Sequence, residues 1–243
     1  MIAKAIDKIL ELAGPHLVDI GGVSYSDRRL TPVDTVRSIE TIRVSTLTAF
    51  VEYVRNMDGL DGIKTIDCIV HVEDPKTVTL MTGLNRDATR DKIIVAKAEL
   101  PQIPFNTYLG QEEMIISMLS QFEDDPETDR AAIVRFASKV KAGTVKEYGD
   151  DGVTQTAVVK SGVASLQEQK VPSPCSLRPY RTFREVRQPK SLFIFRMSSK
   201  GEDVQAALFP ADGGAWKLDA VETIAAWLRA KLDEAGINIQ VIA

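Results

Sequence analysis

The most distinctive chemistry of the sequence lies in residues 175–197, CSLRPYRTFREVRQPKSLFIFRM. Five arginines and one lysine stand there against one acid, and aromatic side chains alternate with them. Sites for single-stranded nucleic acid combine cations that hold phosphates with rings that stack on bases. The segment therefore predicts a nucleic-acid contact, or arginines that pair with acids of the same chain or of a neighbouring subunit. The candidate residues of this site are Arg178, Tyr180, Arg181, Phe183, Arg184, Arg187 and Lys190.

A second charged cluster is acidic and consists of Glu123, Asp124, Asp125, Glu127 and Asp129. Carboxylates are ligands for Mg²⁺ and Ca²⁺, but this cluster lacks the ordered spacing and the glycine of an EF-hand. Acidic residues are also favoured in the first turn of a helix. We therefore expect the cluster to begin a helix at Pro126 that runs to about Ala142, and we expect no metal and no cofactor.

Few other residues are suited to catalysis. His16 and His71 are far apart, and the sequence has no HExxH, GxSxG, P-loop or GxGxxG motif. Cys68 and Cys175 belong to no C-x-x-C pair, and no secretory leader is evident, so we expect reduced thiols in an intracellular protein. The glycines of Asp212-Gly213-Gly214 are expected to permit a tight turn into a helix, with Trp216 packed on a sheet.

Hydrophobic periodicity predicts the elements that position these residues. Helical stripes occur at 2–13, 45–56, 111–122, 126–142 and 217–235. Alternating apolar runs predict strands at 16–20, 23–26, 38–44, 67–72, 77–82, 92–99, 144–148, 153–160, 191–198 and 203–208. Short connections favour antiparallel pairing. We therefore expect an α+β fold in which mostly antiparallel sheets pack with three or four helices.

The best candidate boundary between domains lies near residues 143–150. It separates an N-terminal α+β region, 1–143, from a C-terminal α+β region, 144–243. The boundary is short, so the two regions either have separate cores or share one core as a single domain.

Composition places the chain among ordinary globular proteins, since 44% of its 243 residues are hydrophobic and 26% are charged. The formal net charge of −4 hides an asymmetry, because residues 175–197 carry +5 and the rest of the chain −9. The longest apolar stretches are far shorter than the roughly 20 residues that span a bilayer. We therefore expect no membrane partner.

Several stretches resemble one known family. They are VPSPCSLRPYRTFREVRQPKSLFIFRM with the following ALFPADGGAWKLDAV, and the earlier IETIRVSTLTAFVEYV, AKAELPQIPF and YGDDGVTQTAVVKSGVA. The resemblance, over most of the chain, is to a conserved family of tailed-phage and prophage proteins without an assigned function. It implies a protein of the infected host's cytoplasm, encoded among early or recombination genes, and it transfers no active-site residue. Pro210 stands where the family pattern has Glu, which argues against a catalytic carboxylate there.

The leading hypothesis is a non-enzymatic phage accessory protein that acts in phage DNA metabolism or recombination and contacts single-stranded nucleic acid. We also expect it to self-associate, because its strand edges need to be covered. The alternative is an anti-defence protein whose acidic surface binds and inhibits a host immune protein. A metal-dependent enzyme that uses Asp124 or His71 is the third hypothesis, and no convergence of catalytic groups in the sequence favours it.

Overall fold

The computed structural model describes residues 2–14, 17–20, 23–26, 40–85, 88–139, 145–150, 155–161, 165–170, 173–200 and 203–243. Contacts divide the chain into two units, Met1–Ser38 and Ile39–Ala243. His16, the helix end predicted at 140–142, the turn predicted at 151–152 and the boundary at residues 143–144 lie outside the described residues.

The helices are α1 (Ile2–Ala13), α2 (Leu47–Asp61), α3 (Gln111–Gln121), α4 (Arg130–Lys139) and α5 (Trp216–Glu234). The strands are β1 (Leu17–Ile20), β2 (Val23–Ser26), β3 (Ile42–Val44), β4 (Cys68–Asp74), β5 (Thr77–Thr82), β6 (Lys92–Lys97), β7 (Leu109–Gly110), β8 (Val145–Asp150), β9 (Gln155–Ser161), β10 (Ser165–Lys170), β11 (Cys175–Leu177), β12 (Ser191–Lys200), β13 (Asp203–Pro210) and β14 (Gln240–Ile242).

The first unit contains the predicted helix and the predicted hairpin. Strands β1 and β2 pair antiparallel, with Ile20 opposite Val23, and Gly21-Gly22 between them lies outside the described residues. Helix α1 is amphipathic, and the isoleucines of its apolar stripe, Ile2, Ile6 and Ile9, are exposed. This unit therefore presents apolar side chains to solvent.

A five-stranded sheet in the order β14-β4-β5-β6-β3 forms the centre of the second unit. Its inner pairs are antiparallel, whereas the edge strands β3 and β14 are parallel to their neighbours. Helices α2 and α5 contact each other and pack on β6 and β4. Phe50 and Val54 of α2 and Ile224 and Leu228 of α5 close a hydrophobic cluster over the sheet. We call it the first cluster.

A four-stranded antiparallel sheet in the order β11-β12-β13-β7 carries a second cluster. Helices α3 and α4 contribute Met114, Met118, Ile133 and Phe136 to it. Periodicity over 111–122 predicts one apolar face made of Met114, Ile115, Met118, Leu119 and Phe122, and this prediction is wrong at Leu119, which is 54% exposed. Met114 and Met118 are buried as expected, and Ser117 replaces Leu119 on the inner face.

A third sheet consists of β10, β9 and β8, in that order and antiparallel. The pairing of β8 with β9 was predicted, and β10 was not, because its sequence SLQEQK has little apolar alternation. The strands of residues 145–170 are therefore antiparallel as well.

The α+β class with mostly antiparallel sheets is confirmed. The described residues form five α-helices, of which α2, α3, α4 and α5 contribute to the two hydrophobic clusters on the sheets. Each of the two hydrophobic clusters contains side chains from before and from after residue 143. In the part of the chain that the structure describes, no helix is both long and apolar enough to cross a membrane.

Candidate functional site

The predicted site residues lie in one loop, Arg178–Lys190, which connects β11 to β12 and which we call the arginine loop. Pro179 and Pro189 at its ends have no backbone N–H, which disfavours a continued strand. Phe183 and Val186 of the loop belong to the first cluster, whereas the flanking strands β11 and β12 belong to the second. The loop therefore bridges the two clusters.

Gln188 organises the arginine loop from within, and its side chain is buried. Its Oε1 accepts hydrogen bonds from the amides of Arg181 and Thr182, at 2.9 and 3.1 Å. Its Nε2 donates to the carbonyls of Phe183 and Val186, at 3.0 and 3.3 Å. Buried backbone N–H and C=O groups need hydrogen-bond partners. In this loop the Gln188 side chain supplies the partners that a neighbouring strand would supply in a sheet.

Arg178 is buried and pairs with the acidic cluster. Its Nε donates to Asp125 Oδ2 at 2.7 Å, and its Nη1 donates to the carbonyl of Gln188 at 2.5 Å. Arg187 Nη2 donates to the same Asp125 oxygen at 2.7 Å and to Glu127 at 2.9 Å. Two arginines of the loop therefore converge on one carboxylate, as the intrachain alternative predicts.

The expectation that the acidic cluster begins a helix at Pro126 is wrong. Helix α4 begins at Arg130 and has no acid in its first turn. Asp129 accepts a hydrogen bond from the Ser176 amide at 2.7 Å, and Asp124 pairs with Arg130 at 2.5 Å. The carboxylates of this cluster bind arginine side chains and a backbone amide, because the fold brings those groups next to them. Among the described residues, no three His, Cys, Asp or Glu side chains could together hold a metal ion.

Asp125 should make stability dependent on pH. The Glu127 amide and the guanidinium groups of Arg187 and Arg178 lower its pKa from 3.8 to about 2. A carboxyl whose pKa is lowered by folding stabilises the native state above its unfolded pKa, and this contribution disappears as the pH falls through the native value. We therefore expect the stability difference between the wild type and Asp125→Asn to be constant above about pH 5 and to shrink between about pH 4 and about pH 2.

Urea unfolding across this range measures the difference. The Asp124→Asn variant is the matched control, because Asp124 is exposed and, among the described residues, forms an ion pair with Arg130 alone. A difference between wild type and Asp125→Asn that does not change with pH would contradict the assigned role of the Asp125 carboxylate.

Arg181 is buried between two aromatic rings. Its guanidinium carbon lies 4.0 Å from the centroid of the Trp216 ring and 5.7 Å from that of Phe193. Its Nη2 donates to the hydroxyl of Ser191, whereas its Nε has no hydrogen-bond partner. Burial lowers the pKa of Arg181 to about 10, so the group is still a cation at neutral pH.

Tyr180, Arg184 and Lys190 form the surface part of the loop. The Arg184 guanidinium carbon lies 3.7 Å from the centroid of the Tyr180 ring. Glu185, the one acid of the segment, accepts a hydrogen bond from the amide of Thr48 at the start of α2. As far as the structure describes the chain, neither Arg184 nor Lys190 forms an ion pair with an acid.

The seven predicted site residues therefore divide into three groups. Arg178, Arg181 and Phe183 face the interior. Arg187 is held by two acids, although half of its side chain is exposed. Tyr180 is half-buried, and Arg184 and Lys190 are exposed.

A cleft of about 260 Å³ adjoins this surface. Tyr180 and Arg181 line it together with Lys76, from the turn between β4 and β5, and with Trp216 at the start of α5. Apolar side chains of residues 100–105, among them Ile103 and Phe105, complete the wall. The cleft thus combines two cations with aromatic rings, and four separate segments of the chain build it.

Sequence reasoning missed Lys76 and Trp216 as parts of the site. Trp216 was expected only to pack on a sheet. The preceding Gly213-Gly214, which predicts a tight turn, was the one sequence feature that pointed to this position. Those glycines form the predicted tight turn, with φ angles of 60° and 87° that favour glycine. The turn places Trp216 against Arg181, which no local pattern indicates.

The two thiols and His71 take no part in this site. Cys68 and Cys175 are buried, and burial raises the pKa of both, to about 12 for Cys175. Neither is therefore a thiolate at neutral pH. His71 is half-buried in the middle of β4, opposite Thr79 of β5.

Comparisons of the chain with protein-family models, with curated proteins and with solved structures find no match. The functional assignment therefore depends on the chemistry of the arginine loop and the cleft.

Proposed function

We propose that the protein is a non-enzymatic phage accessory protein that contacts single-stranded nucleic acid during phage DNA metabolism or recombination. The observation that carries the proposal is the exposed stack of Arg184 on Tyr180, next to a cleft that Lys76 and Trp216 line. We also propose that it acts in the cytoplasm of the infected host and self-associates, for which the exposed isoleucines of α1 offer an apolar face.

The chemistry of this surface suits a single strand. Arg184 and Lys190 offer positive charge to phosphates, because no acid of the described chain neutralises either one. Tyr180 and Trp216 offer aromatic rings on which bases stack regardless of sequence. Glu185 would repel phosphate, but its carboxylate is bonded to the start of α2.

Binding of labelled single-stranded DNA, followed by fluorescence anisotropy at several salt concentrations, tests the proposal. We expect affinity to fall as salt rises, because phosphate contacts release counterions. We expect Tyr180→Ala to weaken binding by about tenfold, since stacking on one ring contributes about 1–3 kcal/mol per base.

The charge-matched pair for this test is Arg184→Ala and Arg55→Ala. Both arginines are exposed, but Arg55 lies on α2 and outside the cleft. Arg184→Ala should weaken binding, and Arg55→Ala should leave it close to wild type. Absent binding at low salt, or binding that salt does not change, would overturn the proposal in favour of a protein partner such as a host defence protein.

A further inference from the structure

We propose that the cleft lined by Lys76, Tyr180, Arg181 and Trp216 binds one nucleoside monophosphate group, with the base stacked on an aromatic ring and the phosphate at the two cations. The group is a unit of a single strand or a free nucleotide. If the group belongs to a single strand, this inference rests on the proposed function.

The size and lining of the cleft favour one small, partly apolar ligand. Its volume of about 260 Å³ lies just under the range of about 300–1,000 Å³ that is typical of small-molecule pockets. Such pockets are mostly apolar with a few placed polar groups. Here Leu100, Ile103 and Phe105 supply apolar wall, and the charged groups are confined to Lys76 and Arg181. A space of this size suits one nucleotide.

Two aromatic rings of the cleft, Tyr180 and Trp216, each carry a cation on one face. Arg184 lies over Tyr180 at 3.7 Å, and Arg181 lies over Trp216 at 4.0 Å from the ring centroids. A ring has two faces, and no other ring or guanidinium of the described chain stacks on either residue. Tyr180 and Trp216 are both half-buried and both line the cleft, so each ring presents part of its surface to a ligand there.

Arg181 supplies a fixed positive charge to the cleft. Arg181 is only 8% exposed, and its guanidinium group contacts Phe193, Trp216 and Ser191. Its Nε is nevertheless without a partner, which is unusual because buried polar groups are normally hydrogen-bonded. The positive charge of this guanidinium group attracts an anionic ligand in the cleft. The carboxylate of Asp212 lies close enough to compensate part of this charge.

Lys76 supplies the second charge, from an exposed position. It follows Pro75 in the turn between β4 and β5, and Thr182 of the arginine loop donates to the Pro75 carbonyl at 2.5 Å. This bond fixes the turn against the loop that carries Arg181. The two cations of the cleft are thereby held near each other although they are distant in sequence.

Intrinsic fluorescence reports directly on the stacking. The chain has two tryptophans, Trp216 and Trp227, and Trp227 packs against the first cluster outside the cleft. In a Trp227→Phe protein, Trp216 is the only tryptophan, and excitation selective for tryptophan follows its emission alone. We expect AMP, dTMP and a short single-stranded oligonucleotide to quench its emission with saturation. The matched Trp216→Phe protein, which keeps Trp227, should show no change.

Lys76→Gln in the Trp227→Phe background tests the phosphate contact. We expect its affinity for AMP to fall at least about fivefold, and Lys97→Gln, at an exposed position outside the cleft, to leave it unchanged. Adenosine, which lacks the phosphate, should bind more weakly than AMP. Circular dichroism confirms that each variant is folded. Within the described residues, Lys76 contributes only its backbone groups to hydrogen bonds, so the substitution removes none of them.

Each outcome separates this inference from the proposed function. Oligonucleotide binding by anisotropy, with unchanged Trp216 emission and no effect of AMP, overturns the inference and leaves the proposed function standing. Quenching by AMP without oligonucleotide binding supports the cleft and overturns the proposed function. Inorganic phosphate that competes as strongly as AMP would show an anion site without base stacking, and would overturn the inference.

Discussion

Gln188→Ala is expected to lower the free energy of unfolding by about 3 kcal/mol, because it leaves several buried backbone groups without a partner. The amides of Arg181 and Thr182 lose their acceptor, and the carbonyls of Phe183 and Val186 lose their donor. The position is 2% exposed, so solvent replaces these bonds poorly. The arginine loop should loosen first, and both hydrophobic clusters with it.

Equilibrium unfolding in urea measures this effect. Gln102→Ala is the matched control, since Gln102 is exposed and contributes only its backbone carbonyl to a hydrogen bond. The control should remain within about 0.5 kcal/mol of the wild type. If Gln188→Ala changed the free energy of unfolding as little as the Gln102→Ala control does, the Gln188 side chain would not organise the loop.

Arg178→Met is expected to lower the free energy of unfolding by about 3 kcal/mol, which is the second large effect. Methionine keeps much of the side chain's apolar length but removes the bonds to Asp125 and to the Gln188 carbonyl. Asp125 then has Arg187 as its remaining ion-pair partner, and the Gln188 carbonyl loses a donor in a buried site. Removing one partner of a buried pair is costly because the other group stays away from water.

A double-mutant cycle with Asp125→Asn isolates the interaction of the pair. We expect the two substitutions together to destabilise the protein by clearly less than the sum of their separate effects. Arg135→Met is the control, because Arg135 is exposed on α4. Additive effects of Arg178→Met and Asp125→Asn would contradict a direct bond between the two side chains.

The local elements were largely predictable from periodicity. Helix α5, the hairpin of β12 and β13, and strand β5 lie where their patterns placed them. These patterns are informative because burial on one face imposes a period of 3.6 or 2 residues on the apolar positions. The pattern failed at the start of α4, where acids that suit a helix terminus instead bind distant arginines.

The site was predictable in its residue types and not in its geometry. The alternation of arginine with aromatic side chains in 175–197 correctly marked an unusual segment. Whether an arginine faces solvent or a carboxylate depends on residues far along the chain, since Asp125 and Arg178 are 53 positions apart. Lys76 and Trp216 enter the cleft by the same kind of distant contact.

The sequence by itself determined the α+β class, most helices and strands, and the concentration of positive charge in one segment of an otherwise acidic chain. These properties follow from local periodicity and composition. Only the tertiary structure decided that Arg178, Arg181 and Phe183 are buried, that Arg187 is held by acids, and that Tyr180 and Arg184 border a cleft with Trp216. The physical reason is that ion pairing and burial depend on which distant segments the packed clusters bring together, and identical local patterns are compatible with either outcome.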